Sequence, residues 1–169
     1  MTLARPLADL PKGKVVFVDS NIFHFFLRGP GSLQRACTAF LERIEAKEIK
    51  GYTSALVLDE LIYKILLKKV EEKHRKNPLV VLQDHPEEVS VHSREIRRAV
   101  EIVLGIEALD VLAVEKSHIE DAVDQMQKHS VLPRDAIHLS VMSSLNCHDI
   151  ASADGDFDRV ADIIRWTPV

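Results

Sequence analysis

The sequence predicts an α/β fold, a three-layer α/β/α sandwich with a parallel sheet of about five strands. Short apolar runs alternate along the chain with longer segments whose apolar residues recur at helical spacing, a pattern typical of parallel sheets covered by helices. The run Val15–Val18 is apolar throughout, as expected of a strand buried on both faces. It ends at Asp19, and ligands of open α/β sheets bind beyond the carboxyl ends of the strands.

Helix signals are clear in the first half of the chain. Ser20 or Asn21 can cap a helix directly after the first strand. Ser54 follows a brief second strand and can cap a long helix, which ends before Asn77-Pro78. In this half we predict helices over 22–27, 32–47 and 54–72 and strands over 15–18 and 51–53. The segment 79–89 has no pattern that assigns it.

The second half continues the alternation of strands and helices. Ser90 or Ser93 can cap a helix, and Pro133 suits the first turn of another. Here we predict helices over 90–104, 117–129 and 132–142 and strands over 110–114, 149–152 and 163–166. Because the sequence contains no internal repeat, low-complexity run or linker, we expect one domain over residues 1–169.

Composition limits the classes of partner. The formal net charge of −4 gives no general attraction to nucleic acid, so any such contact needs a local basic patch. No apolar segment is long enough to span a membrane, so we expect no membrane contact. The two cysteines, Cys37 and Cys147, lack metal-type spacing and indicate reduced thiols in a cytoplasmic protein. The candidate basic patches are Lys68, Lys69, Lys73 and Lys76, or Arg94, Arg97 and Arg98.

Four acids stand near the ends of predicted elements: Asp19, Glu60, Asp135 and Asp154. They lie too far apart in sequence to share one loop, so any meeting between them depends on the fold. Converging carboxylates repel one another, and such an arrangement normally persists with a cation. Hard oxygen ligands suit Mg²⁺ or Mn²⁺, and the residues lack the Cys/His pattern of a zinc site. A divalent cation held in this way is typical of enzymes that hydrolyse phosphodiesters.

Other interpretations of these residues stay open or are excluded. The same acids can serve only as helix caps and turn formers. We interpret His138 as a helix-packing histidine, because it lacks a second histidine at ligand spacing. A calcium loop starting at Asp154 is excluded, since Arg159 stands where glycine is needed and Arg165 where glutamate is needed. Glycine-rich nucleotide loops and a Gly-x-Ser-x-Gly elbow are absent from the sequence.

The segments around the four acids resemble, in order, the motifs of the PIN-domain ribonucleases. They are Val18-Asp19-Ser20-Asn21-Ile22, Thr53-Ser54-Ala55-Leu56-Val57-Leu58-Asp59-Glu60-Leu61, Leu132-Pro133-Arg134-Asp135-Ala136-Ile137-His138-Leu139 and Ser152-Ala153-Asp154-Gly155-Asp156-Phe157. The resemblance covers nearly the whole chain. It implies a PIN-domain-like parallel sheet between helices, dependence on Mg²⁺ or Mn²⁺, and endonucleolytic cleavage of RNA.

The resemblance also assigns roles to residues. As catalytic and metal-binding residues it implies Asp19, Glu60, Asp135 and Asp154, with Asn21 and Ser152 as hydrogen-bonding supports and Asp156 as an auxiliary acid. The family pattern selects Glu60 over its neighbour Asp59. Helical phase does not, because it predicts a buried arc that Asp59 flanks and from which Glu60 points away. That predicted arc consists of Ser54, Leu58, Leu61, Ile62 and Ile65.

Partners and competing functions follow from the same resemblance. Many relatives are VapC-type toxins, which are neutralised by a cognate antitoxin and often form homodimers, so an antitoxin and a second copy join RNA as expected partners. Additional chain around Leu79–Glu107 leaves the toxin role open. The main alternative is a catalytically silent PIN-fold module that binds RNA or protein. A metal-dependent phosphatase or DNase on the same fold is a third hypothesis.

Overall fold

The computed structural model describes residues 4–169 and confirms the predicted α/β/α fold class. Residues 1–3 of the predicted domain lie outside the described residues. The strands are β1 (Arg5–Pro6), β2 (Val15–Val18), β3 (Lys50–Ser54), β4 (Leu109–Leu112), β5 (Asp149–Ala151) and β6 (Ile164–Thr167). They form one sheet in the order β1-β6-β5-β2-β3-β4, and every pairing is parallel.

Strand β2 lies in the interior of the sheet, between β3 and β5. Val16 is in register with Gly51 of β3, and Val18 is in register with Ala151 of β5. Gly51 leaves room for the Ile44 side chain, since a Cβ atom there would lie 2.7 Å from Cδ1 of Ile44. The structure has one strand more than the five expected. This strand, β1, is a two-residue segment at the sheet edge, too short to produce an apolar pattern.

The helices are α1 (Ser20–Arg28), α2 (Gly31–Glu45), α3 (Ala55–His74), α4 (Pro78–Asp84), α5 (Glu88–Leu104), α6 (Lys116–His129) and α7 (Pro133–Ser144). Two short 3₁₀ helices add Leu7–Asp9 and Gly155–Arg159. Helix α4 occupies most of the segment that the sequence left unassigned. It begins where the Asn77 side chain accepts a hydrogen bond of 3.0 Å from the backbone N–H of Leu79. Within residues 4–169, no helix has both the length and the apolar character needed to cross a bilayer.

Several polar side chains lie at the edge of the sheet where the strands have their carboxyl ends. Parallel strands point their carboxyl ends the same way, so the residues after β2, β3 and β5 approach one another. Asp19 follows β2, Ser54 ends β3, and Ser152 follows β5. Ser54 caps α3 as predicted, accepting a hydrogen bond of 3.4 Å from the backbone N–H of Val57. This cap fixes the start of the helix that carries Glu60.

Candidate active site

A cavity of about 550 Å³ opens at this edge of the sheet. We call it the acid cavity. Its lining residues are Asp19, Asn21, Glu60, Lys64, Leu132, Pro133, Arg134, Asp135 and Asp154. All four acids singled out from the sequence therefore line the same cavity. They come from four separate parts of the chain: the end of β2, helix α3, the first turn of α7, and the loop after β5.

Asp19 both caps a helix and lines the acid cavity. Its carboxylate caps α1 by accepting a hydrogen bond from the backbone N–H of Ser20. The same carboxylate lines the acid cavity, although the residue as a whole is only 5% exposed. Capping and a place in the cavity, which the sequence left as alternatives, are thus combined in one residue. Its role as a metal ligand stays a prediction.

Asn21 and Ser152 connect the start of α1 with the end of β5. The Asn21 amide nitrogen donates to Asp19 Oδ2 and, over 3.0 Å, to Ser152 Oγ. Ser152 Oγ in turn donates to Asp19 Oδ2 over 2.7 Å and accepts from the backbone N–H of Asp154 over 3.0 Å. These bonds orient the Asp19 carboxylate and hold the loop that carries Asp154. The role of Asn21 and Ser152 as supports of a metal site stays a prediction.

Glu60 corrects the helical phase that we predicted for α3. Glu60 is 7% exposed and belongs to the buried side of the helix, whereas Asp59 is exposed. Ile62, which we placed in the buried arc, is 37% exposed. The prediction was wrong because it used apolar residues alone to locate the buried side. Part of that side packs against polar groups, since Glu60 Oε2 accepts a hydrogen bond of 3.0 Å from Ser20 Oγ.

The surroundings of Glu60 favour its ionised form. Burial alone would raise the pKa of the Glu60 carboxyl, but its net shift is downward. His138, the hydroxyl of Ser20 and the charge of Lys64 stabilise the carboxylate, in that order. Glu60 therefore offers a carboxylate, fixed in position, at the back of the cavity.

The pKa of Asp135 is shifted upward, opposite to that of Glu60. Burial, followed by the negative charge of Asp154, raises the pKa of Asp135 from 3.8 to about 6. Asp19 and Glu60 add to this rise, and His138 opposes it. The charges of the other three cavity acids thus disfavour ionisation of Asp135, in addition to its burial. A bound cation would relieve that repulsion.

Asp154 and Asp156 occupy different positions. Asp154 is exposed on the rim of the cavity, and its Oδ1 accepts a hydrogen bond of 2.9 Å from the backbone N–H of Asp156. The Asp156 carboxylate instead forms an ion pair of 2.9 Å with Arg159, one turn further along the chain. Asp156 is not among the residues that line the cavity. Its predicted role as an auxiliary acid has no contact here that supports it.

Three residues near the acids, Ser20, Lys64 and His138, were not predicted from the sequence to belong to the site. His138 is 1% exposed, packs against the Phe17 ring, and lies with Nε2 3.4 Å from Glu60 Oε1. Ligand atoms of Asp19, Glu60 and His138 all lie within 4.8 Å of one another. Lys64 Nζ donates over 2.7 Å to Ser20 Oγ, which itself contacts the carboxylates of Asp19 and Glu60.

Sequence spacing carried a signal for two of them. Lys64 follows Glu60 by four residues, and His138 follows Asp135 by three, so each shares a helix face with a cavity acid. Ser20 carried no such signal, because a serine at a helix start is usually a cap.

The donor set determines which ions this site can hold. Four carboxylates supply hard oxygen atoms, which suit Mg²⁺ or Mn²⁺. One histidine with a carboxylate pair is less than the nitrogen or sulfur set of a structural zinc site. The cavity also carries the positively charged Arg134, with its Nε 4.0 Å from Glu60 Oε1.

Comparisons with known proteins identify the family and the fold. The sequence model of the family described as PIN domain matches residues 16–163. A curated protein, Ribonuclease VapC2 of Methanocaldococcus jannaschii, is 25% identical over 148 residues, which are 86% of this chain and 88% of that protein. Two solved structures of similar fold have a TM-score of 0.55.

The first of these structures is VapBC2 from Rickettsia felis bound to a DNA fragment from its promoter, at 13% identity over 90% of this chain and 98% of that one. The second is VapC20 from Mycobacterium tuberculosis, a toxin that cleaves the sarcin-ricin loop, at 17% identity over 86% of this chain and 95% of that one. At these identities the two likenesses show a shared fold.

Proposed function

Because the chain belongs to the PIN domain family, we propose that it is a divalent-metal-dependent endoribonuclease, which hydrolyses phosphodiester bonds within RNA. The observation that carries this proposal is the acid cavity, where four carboxylates from separate elements face one space. The curated relative is named a ribonuclease, which supports the same reaction class.

The residues present fit a divalent cation. Asp19, Glu60, Asp135 and Asp154 would hold it. Burial and then the charge of Asp154 raise the pKa of Asp135, and a bound cation would favour its ionised form. When bound, the cation lowers the pKa of water and neutralises charge on the phosphate. Either Mg²⁺ or Mn²⁺ matches these oxygen donors.

Protein groups would position the ligands and the substrate. Asp19 is oriented by hydrogen bonds from Asn21 and Ser152, and Glu60 by contacts with Ser20 and His138. These contacts fix the carboxylates before substrate arrives, so little reorganisation is needed during reaction. Arg134 lies at the cavity with a 54% exposed side chain, where it can attract a phosphate. None of the carboxylates needs to form a covalent intermediate.

Incubation of the purified protein with mixed RNA tests this function. We expect internal cleavage in Mg²⁺ or Mn²⁺ and intact RNA in chelator. Single-stranded DNA and a phosphomonoester, incubated in parallel, test the DNase and phosphatase alternatives. RNA that is bound but left intact with either metal would instead support the silent binding module.

We further propose an antitoxin protein as a partner. The Rickettsia felis relative is a VapBC2 complex, and another similar structure is a toxin-antitoxin complex from Klebsiella pneumoniae. A second cavity, of about 340 Å³, lies between α1, α2 and α5, with Phe26, Leu41 and Ile102 in its lining. Its rim carries three carboxylates, Glu42, Glu45 and Glu101. This surface suits a segment with apolar and basic side chains, and co-purification with the product of a neighbouring gene would test the pairing.

A second copy of the chain is also a proposed partner. Helix α6 exposes Ile119 by 48%, Val123 by 64% and Met126 by 36% on one face. An apolar stripe of this kind supports association between copies. Size-exclusion chromatography with light scattering, comparing the wild type with Val123→Glu, tests whether this face forms a dimer.

A further inference from the structure

A third cavity, of about 380 Å³, adjoins the acid cavity and shares Lys64 with it. We call it the basic cavity; its lining residues are His24, Lys64, Leu67, Lys68, Glu71 and Pro78. The two cavities lie on either side of a single lysine. A chain of linked phosphates that enters the acid cavity can therefore continue past Lys64 into the basic cavity.

The charges around the basic cavity favour an anion. Lys64, Lys68 and Arg28 surround His24, while Glu71 and Glu72 oppose them. Burial and then the charges of Lys64, Arg28 and Lys68 lower the pKa of His24, whereas Glu72 acts weakly in the other direction. The field at His24 is thus positive on balance.

Lys64 and Lys68 are both exposed, so a ligand in the basic cavity can contact them. The Lys68 side chain is 49% exposed, and its ion pair with Glu71 is an exposed contact within one helix, which costs little to break. Lys64 is held at Ser20 Oγ, beside the carboxylates of Asp19 and Glu60. Of the two basic patches singled out in the sequence, only Lys68 lines this cavity.

We propose that the basic cavity is a subsite for the RNA backbone, in which Lys64 and Lys68 bind a phosphodiester next to the one that is cleaved. This inference rests on the proposed ribonuclease function and adds to it the path of the substrate. Leu67 and Pro78 supply apolar walls against which a ribose can pack. Lys64, at the junction, would contact the backbone between the two cavities.

The first experiment compares Lys68→Met with Lys12→Met. Lys12 is a matched control: its side chain is 75% exposed, it forms one ion pair of 3.1 Å with Glu48, and it precedes β2 at the opposite edge of the sheet. Binding of RNA is measured in chelator and in an Asp135→Asn background, which is expected to cleave at least about a hundredfold more slowly than wild type. We expect Lys68→Met to weaken binding roughly threefold or more and to lower the log–log salt slope by about one. Lys12→Met should match its parent.

The second experiment locates the phosphate. In an oligonucleotide that the wild type cleaves, each phosphate near the cleaved bond is replaced singly by an uncharged methylphosphonate. We expect one position to weaken binding to the parent protein but not to weaken binding to Lys68→Met further, because the partner charge is already gone. Removal of a terminal 5′-phosphate serves as a separate arm, and a loss confined to that arm would contradict a backbone subsite.

Failure of this inference can be told apart from failure of the proposed function. If the wild type cleaves RNA while Lys68→Met keeps the parent's affinity, KM and salt slope, the subsite is wrong and the nuclease is not. If no RNA is cleaved in any metal, the function is wrong. Thermal melts of each variant exclude unfolding, and Lys68→Arg, which keeps the charge, should restore binding.

Discussion

The Nε2 atom of His138 lies 3.4 Å from Oε1 of Glu60, so helix α7 contacts helix α3 directly behind the acid cavity. His138 is almost fully buried, and its ring packs near Phe17 of β2. The contact becomes an ion pair when the imidazole is protonated. His138 therefore has the packing role that its sequence context indicated, and from its contact with Glu60 we predict that it also positions that carboxylate.

Replacing His138 should therefore weaken the metal site. We expect His138→Ala to lower RNA cleavage and Mn²⁺ affinity by about 10–100-fold, the usual effect of losing a group that orients a metal ligand. Mn²⁺ affinity is measured by calorimetry on the folded variant. His148→Ala, at an exposed histidine on the opposite edge of the sheet, is the control. Unchanged Mn²⁺ affinity in a folded His138→Ala would leave the histidine with a packing role alone.

Two neighbouring acids on α3 provide a matched pair. Glu60 lines the acid cavity and Asp59 is exposed, so Glu60→Ala should abolish cleavage while Asp59→Ala should leave it near wild type. Initial rates on one RNA substrate measure the difference, and circular dichroism checks both folds. Equal loss in the two variants would show that the cavity acid has been misassigned.

Asp154 and Asp156 provide a second pair of acids whose substitutions should differ in effect. Asp154 lines the cavity, whereas Asp156 pairs with Arg159, an exposed contact of small energetic weight. We expect Asp154→Asn to lower cleavage by about a hundredfold, roughly 3 kcal/mol, and Asp156→Asn to change it less than about threefold. A large loss in Asp156→Asn would restore it as an auxiliary acid.

The raised pKa of Asp135 predicts a pH-dependent change in stability. Its pKa in the fold is about 6, above the value of 3.8 for an unperturbed group, so its ionisation costs stability as pH rises through this window. In chelator, Asp135→Asn should therefore gain stability relative to wild type between pH 4 and pH 7, on the order of 1 kcal/mol after allowance for solvent screening. Thermal melts at both pH values measure this difference, and a difference that does not change with pH would contradict the raised pKa of Asp135.

Much of the fold followed from local patterns in the sequence. The apolar run of β2 and the cap at Ser54 are short-range features, and they locate the sheet edge where the cavity lies. The prediction that Ser20 or Asn21 caps α1 was wrong, because Asp19 is the cap and both residues lie inside the helix. Strand β1 could not be predicted, because its two residues are held by pairing with β6 and carry no pattern of their own.

The site was less accessible to sequence reasoning. Four acids could be singled out because each stands near the end of an element, but burial of Glu60 depends on polar groups from α1 and α7. Ser20, Lys64 and His138 contact those acids from positions where capping, a solvated helix face and core packing are the usual roles. Only the three-dimensional arrangement distinguishes their contacts from those roles.

The most direct test of a metal-dependent acid cavity is the rate of RNA cleavage by wild type, Asp135→Asn and Asp124→Asn in chelator, Mg²⁺ and Mn²⁺. Asp124 is an exposed acid on α6, away from the cavity lining, and serves as the matched control. We expect no cleavage in chelator, cleavage by wild type and Asp124→Asn with metal, and a loss of at least about a hundredfold in Asp135→Asn. Equal rates for wild type and Asp135→Asn in saturating metal, or full activity in chelator, would contradict the account.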